Sequence, residues 1–227
     1  MKYSILFLVL MVKTSLFYSQ TFTAPNYALK SHETLNITKI EANSEKTIVY
    51  LSVVNQRIGG YFCADRNISL SESDGGKLKL LKSSGIPVCP DTYKFQSIGE
   101  KLDFILTFPP LKPGTEWVDL IEECSENCFS FYGVILDNSM NRRIDGVFAL
   151  AENGEQTKAL ISFINIAAEK DIKSPVVEGL IYINIIKLAN DTGNLTKAAE
   201  WYNRLKSSAI PRAELYIKHL NLLGIKF

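Results

Sequence analysis

The spacing of apolar residues changes part-way along the chain, which divides the sequence into two halves. Between about residues 29 and 136, short runs rich in β-branched and aromatic residues alternate with turn-forming residues and show no helical period. This half offers no crossover helix, which parallel strands would need. About seven or eight short strands of this kind predict an antiparallel β-sandwich. The predicted strands are 35–38, 48–54, 68–70, 77–80, 102–108, 117–121 and 129–136.

Turn-forming residues fix two of the strand ends. Asp74-Gly75-Gly76 lies between two of the strands and predicts a hairpin, because glycine adopts positive φ without steric cost. Pro109-Pro110 ends the strand before it, because proline lacks the N–H that a strand ladder needs.

After Asp145 the apolar residues recur with the period of a helix. The pattern therefore assigns residues 20–145 to the β half and residues 146–227 to a helical half of four helices. The second of these helices is predicted to start at Ser174-Pro175, with serine as the N-cap and proline in the first turn. That helix is apolar on nearly all sides, so both of its faces must be covered.

Residues 1–19 are predicted to be a secretory signal peptide. Lys2 supplies the positive start, and residues 4–12 form an apolar stretch that Lys13 interrupts. A membrane span needs about 20 consecutive apolar residues, so this stretch is too short to span. Cleavage is expected near Ser19, and an uncleaved signal anchor is the alternative. The mature protein is then periplasmic, exposed at the outer surface or secreted.

Charge and composition argue against several classes of function. The chain has 25 basic and 24 acidic side chains and a net charge of +1, whereas nucleic-acid binding needs a basic surface. Its two histidines are too few for a histidine-rich metal site. The sequence has no glycine-rich phosphate loop and no Gly-x-Ser-x-Gly motif. We therefore expect a protein that is not an enzyme and that uses no cofactor and no metal.

Four cysteines in an exported chain are expected to form two disulfide bonds. Three pairings are possible, and we favour Cys63 with Cys89 and Cys124 with Cys128. Cys63 follows an aromatic pair and Cys89 precedes a proline, so both are expected at strand ends or in tight loops. The longer loop is expected to stabilise the fold by about 3–4 kcal/mol and the shorter one by about 2 kcal/mol.

A redox role for Cys124 and Cys128 is the first alternative. A redox thiol needs positive charge nearby to lower its pKa, whereas the neighbours of this pair are acidic. These neighbours are Glu116, Asp119, Glu122, Glu123 and Glu126. A four-cysteine zinc site is a second alternative, but its two pairs would be spaced unlike those of known zinc sites. The acidic run could also bind Ca²⁺, but it lacks alternating Asp and Asn around a glycine, and we interpret it as a solvated surface.

The helical half contains a weak internal repeat. Residues 154–159 and 193–198 match at four of six positions with an offset of 39 residues, about the length of one helix pair. The second copy resembles the second helix of a tetratricopeptide repeat, with the small Ala198 and the aromatic Tyr202 where that family has them. Ile186 departs from the pattern, because the family has a glycine there. Two units are fewer than the three that a free-standing array needs, so we expect the helices to lean on the β half or on a partner.

The end of the β half also carries a resemblance. From Phe108 to Val134 the chain contains Phe-Pro-Pro, then Glu-Trp-Val-Asp-Leu-Ile-Glu, then the Cys124 and Cys128 pair followed by Phe-Ser-Phe-Tyr-Gly-Val. Over about residues 28–137 the chain resembles a β-sandwich module of exported bacterial proteins, which often precedes a thioredoxin-like reductase domain. The resemblance implies an immunoglobulin-like accessory domain. The cysteine spacing is longer than the usual Cys-x-x-Cys, and helices follow where a reductase would lie, which weakens the redox alternative.

The sequence therefore favours an exported, non-enzymatic binding or assembly protein, with an immunoglobulin-like β-sandwich followed by tetratricopeptide-like helical hairpins. The expected partner is another exported or envelope protein, with no nucleic acid and no membrane span after signal removal. Helical hairpins offer a groove for peptides, and sandwich loops offer other surfaces. One alternative is an accessory protein of thiol-disulfide exchange that uses Cys124 and Cys128. Another is a glycan-binding sandwich that uses Trp117 or surface tyrosines.

Overall fold

A computed structural model describes residues 19–169 and 174–227, which form twelve strands and five helices. Apart from Ser19, the predicted signal peptide lies outside the described residues. The strands are β1 (Ser19–Thr23), β2 (Leu29–Lys30), β3 (Leu35–Asn43), β4 (Thr47–Val54), β5 (Tyr61–Phe62), β6 (Ile68–Glu72), β7 (Lys77–Lys79), β8 (Lys82–Ser84), β9 (Tyr93–Lys94), β10 (Lys101–Phe108), β11 (Trp117–Glu122) and β12 (Ser130–Ile135). The helices are α1 (Asn138–Glu152), α2 (Gln156–Ala167), α3 (Pro175–Asp191), α4 (Leu195–Lys206) and α5 (Ala213–Leu222).

The strands form antiparallel sheets, as predicted. One five-stranded sheet has the order β1-β3-β4-β10-β8, the second has the order β2-β12-β11-β6-β7, and β5 pairs with β9 in a small third sheet. Side chains from both five-stranded sheets share one hydrophobic core, which is compatible with a β-sandwich. Alternate side chains of β10 point into this core, namely Leu102, Phe104, Leu106 and Phe108.

Each predicted strand is present, and the structure adds five short ones. The hairpin predicted at Asp74-Gly75-Gly76 joins β6 to β7, and β10 ends directly before Pro109. The additional strands are β1, β2, β5, β8 and β9, with two to five residues each. Strands of this length are too short to show a clear period in a sequence.

The helical half begins earlier than the sequence pattern indicates. Helix α1 starts at Asn138, within the segment 20–145 that the pattern assigns to the β half. The Asp137 carboxylate caps it by accepting hydrogen bonds from the N–H groups of Ser139 at 2.7 Å and Met140 at 3.0 Å. The sequence shows no apolar stripe here because few side chains of α1 are buried. These are Asn141, Ile144 and Val147.

The four predicted helices correspond to α2, α3, α4 and α5. Helix α3 begins at Pro175, as predicted, and is buried on nearly all sides. The internal repeat coincides with two interhelical turns, because Gly154 follows α1 and Gly193 follows α3, with φ angles of 82° and 75°. Ala159 and Ala198 are fully buried at equivalent positions of α2 and α4. The repeat therefore marks two consecutive helical hairpins.

The helices rest on the outer face of the second sheet. The Asn141 side chain of α1 accepts a hydrogen bond from the Asn26 N–H at 2.9 Å and donates one to the Ile135 carbonyl at 2.9 Å. On α3, Val176 packs so closely against Gly133 of β12 that a Cβ at Gly133 would overlap the Val176 Cγ1 methyl. These contacts confirm that the helices lean on the β half.

Strands β11 and β12 are buried along nearly their whole length, because the first sheet covers one face and the helices cover the other. Their pairing contains a β-bulge in which Tyr132 and Gly133 lie opposite Asp119. Gly133 has a φ of 67°, which favours glycine at this position. The bulge lets the Gly133 N–H donate to the Asp119 carboxylate at 2.7 Å.

Candidate functional site

All four cysteines lie at one end of the two sheets and form two disulfide bonds. Cys63 is bonded to Cys89 with a Cα–Cα distance of 5.3 Å, and Cys124 is bonded to Cys128 with a Cα–Cα distance of 5.5 Å. This is the pairing that the sequence favours. Two disulfide bonds suggest an oxidising, exported environment. Within residues 19–169 and 174–227, the helices are too short or too polar to cross a membrane.

The loops at this end, together called the disulfide end, form one connected structure. They are residues 31–34, 55–67, 85–100 and 123–129. The second of these loops joins the first sheet to the second sheet, and its Asp65 N–H donates to the Glu122 carboxylate of β11 at 2.7 Å. The Phe62 ring lies 6.0 Å from that of Phe104 and 6.3 Å from that of Phe129, measured between centroids.

The Cys63–Cys89 bond lies at a junction between two of these loops. The Ala64 N–H donates to the Pro87 carbonyl at 3.0 Å, and the Cys89 N–H donates to the Ala64 carbonyl at 3.0 Å. Strands β5 and β9 pair in the same two loops. A covalent bond and strand-like hydrogen bonds therefore hold the two loops together.

The buried Asn55 joins the tips of the same two loops. Its side-chain amide donates to the Arg57 carbonyl at 2.9 Å and to the Ser97 carbonyl at 2.7 Å. Its backbone N–H donates to the Glu100 carbonyl at 2.9 Å, and its carbonyl accepts from the Gly99 N–H at 2.8 Å. Both tips are thus fixed to one residue.

The Glu100 carboxylate is occupied by its own loop. It accepts hydrogen bonds from the Tyr93 hydroxyl at 2.6 Å and from the Gln96 and Ser97 N–H groups at 2.5 Å and 3.2 Å. The Tyr93 hydrogen bond, followed by the one from Gln96, lowers the pKa of the Glu100 carboxyl. The carboxylate therefore stabilises the loop in its charged form.

Three large apolar side chains protrude from these fixed loops. Ile58 is 92% exposed, Ile98 is 60% exposed and Tyr61 is 56% exposed. We call these three residues the apolar platform. A groove of about 480 Å³ runs beside Tyr61, between residues 59–61 and residues 94–96. Apolar side chains grouped on ordered surface loops mark an interaction surface.

Charges of both signs adjoin the apolar platform. Arg57 and Lys94 are exposed, and segments 56–61 and 92–99 contain no acidic residue. Asp91 directly precedes the second segment. Glu100 directly follows it, so the two cations near the platform are matched by two acids.

The Cys124–Cys128 bond closes an acidic hairpin between β11 and β12. The buried Glu122 carboxylate at its base accepts hydrogen bonds from the N–H groups of Asp65 and of Phe129, the latter at 3.0 Å. Burial raises the pKa of the Glu122 carboxyl, and the two N–H groups oppose this rise. This side chain links the hairpin to the neighbouring loop.

The interpretation of the acidic run as a solvated surface is wrong for Asp119 and Glu122, which are buried. Each has donors in the protein interior that replace water. In the described parts of the chain, 19–169 and 174–227, no cluster of three or more His, Cys, Asp or Glu side chains is placed to hold a metal ion.

Asp119 takes part in a buried ion pair that the sequence does not reveal. The guanidinium of Arg212, at the N-cap of α5, contacts both carboxylate oxygens, with a distance of 3.2 Å to Oδ1. The same guanidinium lies 5.9 Å from the Trp117 ring centroid and 5.1 Å from that of Tyr132. Burial raises the pKa of the Asp119 carboxyl, whereas the Gly133 N–H and Arg212 lower it. The ion pair joins the second sheet to the helices.

The position of Trp117 bears on the glycan alternative. Its side chain is 8% exposed and lies beside Arg212, so its ring is not open for a sugar to stack on. Exposed aromatic residues are instead Tyr61, on the apolar platform, and Phe227.

A larger cavity of about 560 Å³ lies away from the disulfide end, between β1 and the first turns of α1 and α3. Glu116 and Asp137 are its acidic members, and the Asp137 carboxylate already caps α1. We assign no ligand to it.

No protein-family model matches this chain, and neither a curated protein nor a solved structure is significantly similar to it. Its function is therefore argued from the geometry of the described residues.

Sequence reasoning located the cysteines of the disulfide end but not the apolar platform. An isoleucine in a loop segment looks the same in a sequence whether its side chain is buried or exposed. The neighbouring Gly59-Gly60 and the asparagine at position 55 are turn signals that could have indicated an ordered loop tip.

Proposed function

We propose that this chain is an exported, non-enzymatic binding protein whose binding surface is the disulfide end. In this proposal the two sheets are an immunoglobulin-like β-sandwich and the helical hairpins are tetratricopeptide-like. The observation that carries the proposal is the exposure of Ile58, Tyr61 and Ile98 on loops that a disulfide bond and side-chain hydrogen bonds hold in place.

The fixed geometry of the loops supports a binding role. A loop that is already ordered loses little conformational entropy when it binds, so more of the contact energy appears as affinity. Cys63–Cys89 and Asn55 order the loops that carry the apolar platform. The platform is therefore suited to binding without rearrangement.

The position of the helices supports the same surface. Helices α1, α3 and α5 face the second sheet through Asn141, Val176 and Arg212 respectively. A peptide cannot dock on that face, because the chain's own strands already cover it. The disulfide end lies beyond the strand ends, where its loops meet solvent.

The geometry does not favour the thiol-disulfide alternative. Glu123 directly precedes Cys124, and Glu126 lies between the two cysteines. Lys77 is close to this hairpin, but its positive charge is paired with Glu123. An acidic surrounding disfavours the thiolate that such exchange needs.

Site-specific photocrosslinking tests the proposed function. Benzoylphenylalanine replaces Ile58 or Ile98 and, as a matched control, Ile161, which is an exposed isoleucine of α2. Each protein is irradiated in the cell envelope of its source organism. We expect adducts from the two platform positions and none from position 161. Equal labelling at all three positions, or none at any of them, would refute the proposal.

A further inference from the structure

Strand β7 is an open edge of the second sheet, because it comes last in the order β2-β12-β11-β6-β7. The Leu80 N–H, just beyond β7, donates to the Ile68 carbonyl of β6 at 2.8 Å. Bonded residue pairs recur at every second position of an antiparallel ladder. The backbone N–H and C=O groups of Lys77 and Lys79 therefore point away from β6, and no strand of the described residues pairs with them.

The two faces of β7 carry different side chains. Lys77 and Lys79 are exposed on one face. On the other face, Leu78 and the adjoining Leu80 pack against the hydrophobic core but are only partly buried. A strand added beside β7 would cover the two leucines on one face and meet the two lysines on the other.

The charges along this edge leave lysines unpaired. Residues 76–84 contain three lysines and no acidic residue. The surface acids of the neighbouring segments are each already paired with a lysine, namely Glu123 with Lys77, Asp74 with Lys112 and Asp103 with Lys101. Glu72, at the end of β6, is buried. Lys79 and Lys82 form no ion pair within residues 19–169 and 174–227, so an incoming acidic strand would find two free cations.

From these observations we propose that β7 binds an extended segment of a partner protein by strand addition, and that this segment alternates acidic with apolar residues. The backbone of the segment bonds to the outward groups of Lys77 and Lys79. Its acidic side chains face the lysines, and its apolar side chains cover Leu78 and Leu80. This surface is separate from the disulfide end, so the inference goes beyond the proposed function.

The lysines of β7 favour an acidic partner over a second copy of the chain. Lysines on an edge strand are a common protection against pairing between identical chains. If two β7 strands paired with each other, lysine would face lysine, which is destabilising. An acidic strand turns the same contact into an attraction, so charge gives the edge its specificity.

A synthetic peptide that alternates glutamate with valine tests this inference on the mature chain with both disulfide bonds intact. Nuclear magnetic resonance follows amide-hydrogen exchange at single residues. At saturating peptide we expect exchange at the Lys77 and Lys79 N–H groups to slow by about tenfold or more, because these groups become hydrogen-bonded. The Leu78 N–H is the internal control, because it already faces β6 and should change little. A peptide with lysine in place of glutamate should not bind.

Substitutions at position 79 separate the charge from the backbone group. Lys79→Gln removes the charge and should lower the peptide affinity by about twofold to fivefold. Lys79→Pro also removes the outward N–H, which proline can do on the open side of an edge strand without breaking the ladder to β6. It should lower the affinity by about a further threefold to tenfold. Lys218→Gln, at an exposed position of α5, is the matched control and should leave the affinity unchanged. The thermal midpoint of each variant checks that it is folded.

Three results would overturn the inference. The first is a glutamate–valine peptide that shows no saturable binding, and the second is protection that appears elsewhere in the chain but not at Lys77 and Lys79. The third is a folded Lys79→Pro protein that binds the peptide as well as Lys79→Gln does. Photocrosslinking at Ile58 and Ile98 reports on the disulfide end instead, so failure of the edge inference and failure of the proposed function are distinguishable.

Discussion

The Asp119–Arg212 ion pair offers a direct test of how the helices are held to the sheet. Asp119 has a fully buried side chain, whereas the Arg212 side chain is 29% exposed. Replacing Arg212 with Met leaves a buried carboxylate that the Gly133 N–H supports. Breaking a buried pair costs about 3–5 kcal/mol, and we expect about 3 kcal/mol because the guanidinium is partly solvated and the Gly133 hydrogen bond remains.

A double substitution separates the buried charge from the loss of packing. When Asp119→Asn is combined with Arg212→Met, no unpaired carboxylate remains, and the amide oxygen of Asn can still accept from Gly133. We therefore expect the double variant to be more stable than Arg212→Met alone. The coupling free energy between the two sites should be at least about 1 kcal/mol.

The pH dependence of the free energy of unfolding tests the effect of the buried Asp119 carboxylate in a second way. In the wild type, burial raises the pKa of the Asp119 carboxyl and Arg212 opposes this rise, so in the Arg212→Met protein the folded-state pKa lies further above its unfolded value. A carboxyl with a raised folded pKa contributes stability that is present at low pH and is lost as the pH rises through that pKa. The deficit of Arg212→Met relative to the wild type should therefore shrink as the pH falls from 7 towards the unfolded pKa of Asp, about 3.9, whereas that of the double variant should not.

Urea unfolding with intact disulfides measures these free energies. Far-UV circular dichroism follows the helices, and tryptophan fluorescence includes Trp117, which lies beside Arg212. Arg143→Met is the control, because the Arg143–Glu169 pair is on the surface, with side chains 40% and 42% exposed, and should change stability by less than about 0.5 kcal/mol. If Arg212→Met costs no more than the control, or if the double variant is no more stable, the reasoning about the buried charge is wrong.

Two further predictions concern the bulge and the disulfide bonds. Gly133→Ala should lower the free energy of unfolding by about 2–4 kcal/mol, because alanine is strained at positive φ and its Cβ would overlap Val176. The control is Gly146→Ala in α1, where an added Cβ meets open space. This control should be neutral or should raise the free energy of unfolding by up to about 1 kcal/mol. Calorimetry of the two variants checks this, and equal effects would contradict it. Replacing Cys63 and Cys89 with Ser should cost about 3–4 kcal/mol, and replacing Cys124 and Cys128 about 2 kcal/mol, because the loops they close span 26 and 4 residues. Non-reducing urea titrations measure both, and a larger loss for the shorter loop would contradict the loop-entropy argument.

Periodicity in the sequence predicted those elements in which burial follows a regular pattern. The alternation in β10 is regular, and its strand was predicted within one residue at the N-terminal end. In β1 the single buried side chain is Phe22, so no pattern marks that strand. In α1 the buried apolar residues are Ile144 and Val147, so the change of period becomes visible in the sequence well after the helix has begun at Asn138.

Parts of the site were accessible from the sequence for a different reason. The number of cysteines and the apolar start of the chain predicted two disulfide bonds without any knowledge of the fold. The exposure of Ile58 and Ile98 depends on loop geometry that Asn55 fixes through contacts distant in sequence. Asp119 and Arg212 are separated by 93 residues, and nothing local in either segment indicates that they meet.

The β half and the helical half bury each other's apolar faces, and this packing determines which surfaces remain exposed to solvent. Two helical hairpins are fewer than a free-standing array needs, and α3 is apolar on nearly all sides. Strands β11 and β12 have the same need, because both of their faces carry apolar side chains. The first helix of each hairpin packs on the second sheet, and this contact covers the apolar surfaces of both the helices and the strands. The same contact occupies the helical face on which a helical array would otherwise hold a peptide. The helices therefore act as a third layer of the fold, and the loops beyond the strand ends, where the Cys63–Cys89 bond orders the apolar platform, stay free for the binding role that we propose.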